Sequence, residues 1–437
     1  MPFFCSKLQS NRGRSDICQQ KQFIPNMTST KNILPESTAI SVNRIHLPFL
    51  DGMRALAALW VMLGHSHLFA YGWLNHTNSL MKPLNVLLYL HLAVVVFLVL
   101  SGFCLALPVI QNGISLRVSY REFFQSRALR ILPPYFATLI LILIMNYFFP
   151  IATWARNASG LTSTISWQVL AVNFSLMQDF FPQLNTINGP FWSIATEWHL
   201  YMLFPVLILI LRRFGASTFL ILATIVAWGL TWFAEHPPVF FHENQISILH
   251  PPYFIFLFAM GIFAAWVVYV QQSQDKVQKR GLIFSVVGGL FFVYFLYLLQ
   301  KFSIFDAKSA GAFFDRTKVI DTSFAVVVAV CLAGLARTST RNWLRRFLEQ
   351  KLLTGMGKFS YSLYLVHIPI FATVHHYIEE MHLPTNLQHL HFILLSVAGT
   401  ILSLGFAWGF ARIFETRLWL RPMVWSSALR RKSLTQG

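Results

Sequence analysis

Two basic side chains interrupt an otherwise apolar run. The segment LDGMRALAALWVMLGHSHLF, Leu50 to Phe69, carries Arg54 near its start and His65 near its end. Within hydrocarbon a cation costs several kcal/mol, about 2.5–3.5 on insertion scales, so both residues need a use. An imidazole titrates near neutrality and can take a proton from a hydroxyl, whereas a guanidinium stays charged and grips phosphate or carboxylate oxygens. Their eleven-residue spacing, at about 100° per residue, is three turns plus roughly 20°, so both side chains leave the same helix face. At about 1.5 Å per residue they stand roughly 16 Å apart along the axis, one toward each side of a bilayer. That arrangement suits two ends of one path.

Further polar residues stand in apolar surroundings. Glu197 lies within NGPFWSIATEWHLYMLFPVL (188–207), where a carboxylate needs a partner or a proton. Counting from the helix starts puts Glu197 level with His65 and His91, so His65 is a candidate partner, and puts Ser101-Gly102 toward the other membrane side. In GKFSYSLYLVHIPI (357–370), Ser360, Tyr364 and His367 share a face by i, i+4, i+7 spacing. SLRVSYREFFQSRALRILPPYF (115–136) contains Arg117, Arg121, Arg127 and Arg130, the last two just before Pro133-Pro134, which are expected to break the segment. Paired guanidinium groups suit a phosphate-bearing donor. Each feature also has a plainer role. A lone histidine can be a satisfied core residue, a Ser-Gly pair a close helix contact, and an arginine pair an anchor at the membrane surface.

These residues need helices to hold them. The 437-residue chain is 55% hydrophobic and 11% charged, under half the charge of a soluble domain. Ten apolar stretches have spanning length, at about 49–70, 84–109, 134–150, 190–211, 215–234, 251–270, 282–300, 319–336, 359–378 and 392–411. WQVLAVNFSLMQDFF (167–181), with Asn173 and Asp179, reads as an interfacial or re-entrant helix outside that count. With both termini on one side, 27 of the 34 Lys and Arg fall on that side, six fall on the other, and Arg54 remains within a span. The positive-inside bias makes the rich side cytoplasmic. The net charge of +18 is therefore topology, and no nucleic-acid partner is expected. The expected fold class is all-α: a polytopic membrane protein of about ten transmembrane helices with both termini cytoplasmic. It has a polar tail (1–48), a transmembrane body (49–415) and a basic tail (416–437). Cys5, Cys18, Cys104 and Cys331 show no metal spacing and fall toward one membrane side, against a disulfide framework. The outer histidines His375, His376, His382, His389 and His391 read as a solvated loop, and no metal is expected. The sequons NHT (75–77) and NAS (157–159) matter only in a eukaryotic host.

Together these stretches resemble the acyltransferase-3 family of integral-membrane O-acyltransferases, which includes bacterial O-antigen acetylases. DGMR leading to His65 is similar to the family's first helix, VVVFLVLSGFCLAL (94–107) to its second, and RALRILPPYF (127–136) to its arginine-proline segment. FWSIATEWHLYMLFPVL (191–207) resembles its acidic motif and GKFSYSLYLVHIPI its late Ser-Tyr…His motif, so five motifs stand in family order over 49–420. The resemblance implies ten helices and transfer of an acyl group, expected to be acetyl, from cytoplasmic acyl-CoA to a hydroxyl. The implied acceptor is an extracytoplasmic glycan or glycolipid at the cell's inner membrane. It implies required roles for Arg54 and His65, with further roles for Glu197, Arg127, Arg130 and His367. Ser101, His91, Ser360 and Tyr364 are the remaining candidates to line the site. Some members of the family append a periplasmic hydrolase-like domain, so any such second step here is expected to use an accessory periplasmic protein or to be absent. The chemistry agrees with the resemblance: a hydroxyl attacking a thioester needs a base, and a near-neutral imidazole suits that role, with Glu197 holding its tautomer. The rival class is a secondary transporter, which also buries ionisable residues along a path. Against it, the halves show no repeat and no paired broken helices. A hydrolase would call for a G-x-S-x-G turn, which does not occur.

Overall fold

The computed structural model describes residues 47–71, 89–116, 118–149, 165–185, 187–238, 251–272, 277–301, 310–337, 342–382 and 387–415. The two tails, Arg117 and the sequons at Asn75 and Asn157 lie outside the described residues. Among the described residues there is no strand, and the helices are α1 (Pro48–Tyr71), α2 (Leu90–Gln111), α3 (Tyr120–Phe148), α4 (Trp167–Phe174), α5 (Phe191–Glu235), α6 (Phe254–Gln272), α7 (Val277–Lys301), α8 (Ala310–Arg337), α9 (Trp343–Leu348), α10 (Lys351–Gly357), α11 (Ser360–Glu380) and α12 (Gln388–Phe414). Each of the ten apolar stretches falls mainly on one of these helices. By length and composition, Leu90–Gln111, Tyr120–Phe148, Phe191–Glu235, Arg316–Arg337 and His389–Phe414 are five helices able to cross a membrane.

Helix α5 has 45 residues; unbroken, it would run about 67 Å, roughly twice the thickness of a hydrocarbon core. Gly215, at φ 79° and ψ 172°, interrupts it directly after Arg212-Arg213-Phe214. A positive φ is a conformation glycine adopts without strain. The break divides the helix where the stretches 190–211 and 215–234 part. Leu209, Ile221 and Ile225 of α5 and Leu290 and Val293 of α7 are exposed, the surface that hydrocarbon would cover.

Pro133-Pro134 do not break their segment: α3 continues through both. The prolines withhold their N–H groups from the carbonyls of Leu129 and Arg130, and packing against other helices holds α3 together across that gap. The Tyr361 hydroxyl donates to the Ile131 carbonyl at 3.0 Å. The start of α3 is fixed by a capping box, Ser119 Oγ accepting from Glu122 N at 3.3 Å and Glu122 Oε2 from Ser119 N at 3.1 Å. The stretch 167–181 is helical only over Trp167–Phe174. Its remainder is irregular; Asn173 is buried on the helix, and Gln178 and Asp179 are buried beyond it. Tyr135 of α3 donates to the Asn173 carbonyl at 2.8 Å and accepts from Gln178 Nε2 at 2.5 Å, so these polar groups of the stretch are met inside the protein.

Helices α2 and α6 pack along much of their length, and glycine permits it. A Cβ on Gly102 would stand 2.2 Å from the Phe258 carbonyl oxygen, and one on Gly261 would stand 2.1 Å from that of Val99. The two backbones touch at both positions, the small-residue contact that holds helices together in lipid. A second close approach seats α9 and α10 against the start of α1: a Cβ on Gly52 would meet the Leu348 oxygen at 2.0 Å, and one on Gly357 the Asp51 oxygen at 1.9 Å. This contact brings the first turns of α1 and the start of α11 together.

Candidate active site

Five helices converge on one cavity of about 70 Å³, enough for a few waters or a small acyl group. Its polar wall comprises Arg54 of α1, Ser101 of α2, Arg130 of α3, Ser193, Glu197 and Tyr201 of α5, and Ser360, Tyr361 and Tyr364 of α11. Six residues singled out in the sequence therefore meet here: Arg54, Ser101, Arg130, Glu197, Ser360 and Tyr364.

Glu197 is not paired with His65. Its Oε1 accepts from the Tyr201 hydroxyl at 2.5 Å and from the Ser101 hydroxyl. Ser101 Oγ also lies 3.2 Å from the Tyr201 oxygen. Depth counting misplaced the carboxylate because it treated every helix as entering at one level. His91 stacks on Trp192, ring centroids 5.7 Å apart, and Trp192 precedes Glu197 by five residues, more than one turn. Glu197 thus reaches the level of Ser101.

Arg54 is held by Asp51, Nη1 to Oδ1 at 2.6 Å, and donates from Nη2 to Cys104 Sγ at 3.1 Å. The pair is largely buried, so the carboxylate offsets a charge that would otherwise be costly. Ser360 Oγ donates to the Gly357 carbonyl at 2.9 Å. Ser193 Oγ donates to the Pro190 carbonyl at 2.9 Å. Its one proton is thereby committed, and the Tyr364 hydroxyl 2.8 Å away is the donor to Ser193.

His65 and His367 lie off this cavity, against each other. Their ring centroids are 4.9 Å apart, and His367 Nε2 is 3.3 Å from His65 Nδ1. The carbonyls fix both tautomers. His65 Nδ1 lies 2.9 Å from the Val61 oxygen and His367 Nδ1 lies 2.7 Å from the Tyr364 oxygen. A carbonyl only accepts, so each Nδ1 carries the proton. His367 Nε2 is then the acceptor for His65, and in neutral His65 the lone pair sits on Nε2. The pair adjoins the cavity through Tyr364, whose ring centroid is 5.8 Å from that of His367.

Two sequence candidates fall elsewhere. His91 faces Asp321, Nδ1 to Oδ2 at 3.4 Å, and Tyr253 donates to the same oxygen at 2.9 Å. Arg127 does not line the cavity; its Nε donates to Ser126 Oγ at 3.3 Å. The fully buried Asp321 was missed, although an acid inside the stretch 319–336 is the signal that flagged Glu197. Tyr201 was missed too, four residues after Glu197 and so on its helix face. A further pair joins the stretch 167–181 to α5, His199 Nδ1 2.7 Å from Asp179 Oδ2. Burial pushes the Asp179 carboxyl up, and the hydrogen bond from His199 opposes that. Among the described residues no cluster of three or more His, Cys, Asp or Glu could hold a metal ion.

Comparison with known proteins points the same way. A family model described as an acyltransferase domain matches residues 47–412. “Putative O-acetyltransferase SACOL0978” of Staphylococcus aureus (strain COL) is 23% identical over 378 residues, covering 80% of this chain and 54% of that protein. “O-acetyltransferase OatA” of Staphylococcus aureus (strain NCTC 8325 / PS 47) is 22% identical over 373 residues, covering 82% of this chain and 56% of that protein. The chain thus spans a little over half the length of the curated relatives it matches. No solved structure matches it.

Proposed function

The chain belongs to the acyltransferase family, and on that premise we propose that it moves an acetyl group from cytoplasmic acetyl-CoA to a hydroxyl of an extracytoplasmic glycan or glycolipid. The observation that carries this reading is the polar wall of the cavity, where Arg54, Arg130, Ser101 and Glu197 meet inside a helical body. The relatives' printed names support acetyl as the group and oxygen as its destination.

In this reading ten spans cross the inner membrane with both termini cytoplasmic, as the Lys and Arg distribution favours. Arg130 then stands toward the cytoplasmic entry and meets the donor's phosphates, with Arg127 beside it. Arg54 holds the thioester end. Its two contacts to Asp51 and Cys104 leave guanidinium donors for a carbonyl oxygen that gains charge during attack. His65 accepts the acceptor's hydroxyl proton at Nε2, while Val61 and His367 keep Nδ1 protonated. The bond formed is the new O-acyl ester, the bond broken is the thioester, and the hydroxyl proton leaves with the thiol.

Inside-out membrane vesicles from expressing cells, supplied with acetyl-CoA labelled in the acetyl group, test this reading. The expected result is release of free thiol and label in the glycan or lipid fraction, both absent without the protein. Acetylation that proceeds without thiol release would overturn the donor.

A further inference from the structure

A transfer in one displacement needs one base, yet two proton acceptors stand in series here. Glu197 takes a hydrogen bond from Ser101 on the cavity wall, whereas His65 lies beyond it with His367. We infer that Ser101 carries the acetyl group as an ester between donor and acceptor. The inference rests on the acetyl-CoA reading above and adds a covalent step to it.

The geometry supplies each part of an acyl-transfer site. The nucleophile is the Ser101 hydroxyl, which faces the cavity with its proton already directed at a carboxylate. The Tyr201 hydroxyl donates to the same Glu197 oxygen at 2.5 Å, which holds that carboxylate toward Ser101. Arg54 and Arg130 border the same space, so an oxyanion formed on the acyl carbon meets positive charge in a site of low polarity. The cavity's volume of about 70 Å³ suits the small group to be held. Gly102, the next residue, is locked against the Phe258 carbonyl of α6, so the hydroxyl sits on a backbone that cannot drift.

In the first step Ser101 Oγ attacks the thioester carbon and its proton passes to Glu197. The carbon–sulfur bond breaks, and the leaving thiolate takes that proton to give free coenzyme A and acetyl-Ser101. In the second step the acceptor hydroxyl, losing its proton to His65, attacks the serine ester. The ester bond to Oγ breaks, and the proton taken from the acceptor ends on Ser101, restoring both residues. No oxidant, reductant or further reactant is needed.

Purified full-length protein in lipid vesicles, given radiolabelled acetyl-CoA without acceptor, tests the step. Wild type and His65→Gln should each release about one thiol per chain and carry hydroxylamine-labile label on the peptide containing Ser101. Ser101→Ala should lose that label and lower transfer in inside-out vesicles by about a thousandfold or more. Ser101→Cys, which keeps a nucleophile, should be labelled at the same position as a thioester. Transfer by Ser101→Ala within threefold of wild type overturns the inference, as does thiol release with label on another residue. If wild type transfers to the acceptor without ever retaining label, the covalent step falls and the acetyl-CoA reading stands. If no thiol is released even with acceptor present, both fall.

Discussion

His367 Nε2 stands 3.3 Å from His65 Nδ1, and each Nδ1 faces a backbone carbonyl. Two neutral imidazoles are thereby locked in one tautomer, with the His65 lone pair turned away from the pair. His65→Gln keeps hydrogen bonding and cannot accept a proton. It should lower acetyl transfer by about 10²–10⁴-fold while leaving donor binding unchanged, as checked by turnover and acetyl-CoA binding in detergent. Near wild-type turnover would remove His65 from the chemistry.

In the proposed function His367 acts through His65, so its variants should grade. His367→Gln, whose side-chain oxygen can still accept from His65 Nδ1, should retain more turnover than His367→Phe, which cannot accept at all. Both should leave the apparent KM for acetyl-CoA within about twofold. Equal losses from the two variants would make the contact one of packing.

The proposed function gives the donor's phosphates and thioester to arginines on one cavity. Arg130→Ala removes charge-assisted contacts of about 1.5–3 kcal/mol, so KM for acetyl-CoA should rise at least about tenfold. Arg127→Ala, at a residue off the cavity wall, should raise it less. The reverse order would move the phosphate site to the outer side of α3.

Gly52 and Gly357 seat the α9–α10 turns against α1, with no room for a methyl at either. Gly357→Ala forces backbone apart, and overpacking of this kind costs about 1–3 kcal/mol. Its melting temperature in detergent should drop by several degrees, and transfer should fall as Arg54 and Ser360 separate. A variant that melts like wild type would show that the contact yields.

Single cysteines test the charge-derived topology. In a background without native cysteines, positions Asn75 and His389 should react with an impermeant thiol reagent from outside intact cells, and Ser119 should not. Reaction at Ser119 would invert the assigned sides.

Helices and their partners differed in how readable they were. Helices followed from apolar length; Arg54, Ser101, Glu197, Ser360 and Tyr364 were found as polar atoms in apolar runs, because burying such groups without purpose is expensive, and Arg130 as one of a pair of arginines before the prolines. Which of them meet was not readable. His65 pairs with His367 and His91 with Asp321 because helices start at different levels, and a residue count along one helix holds no information about its neighbour's offset. Pro133-Pro134 misled for a related reason: what packs against α3 beside them, such as Tyr361 with its hydroxyl on the Ile131 carbonyl, comes from a segment over two hundred residues away.

The crossing of α2 and α6 at Gly102 and Gly261 also limits how this sequence can vary. Gly102 lies against the Phe258 main chain and Gly261 against that of Val99, so enlarging either cannot be compensated by shrinking a side chain opposite, because what it meets is backbone. The usual route of paired core exchange, one residue growing as another diminishes, is closed at this crossing. Variation must enter the protein elsewhere, on the lipid-facing sides of α5 and α7, where a methyl more or less meets only fluid hydrocarbon. The helix that carries Ser101 is thus held to its sequence at the residue next to the proposed nucleophile.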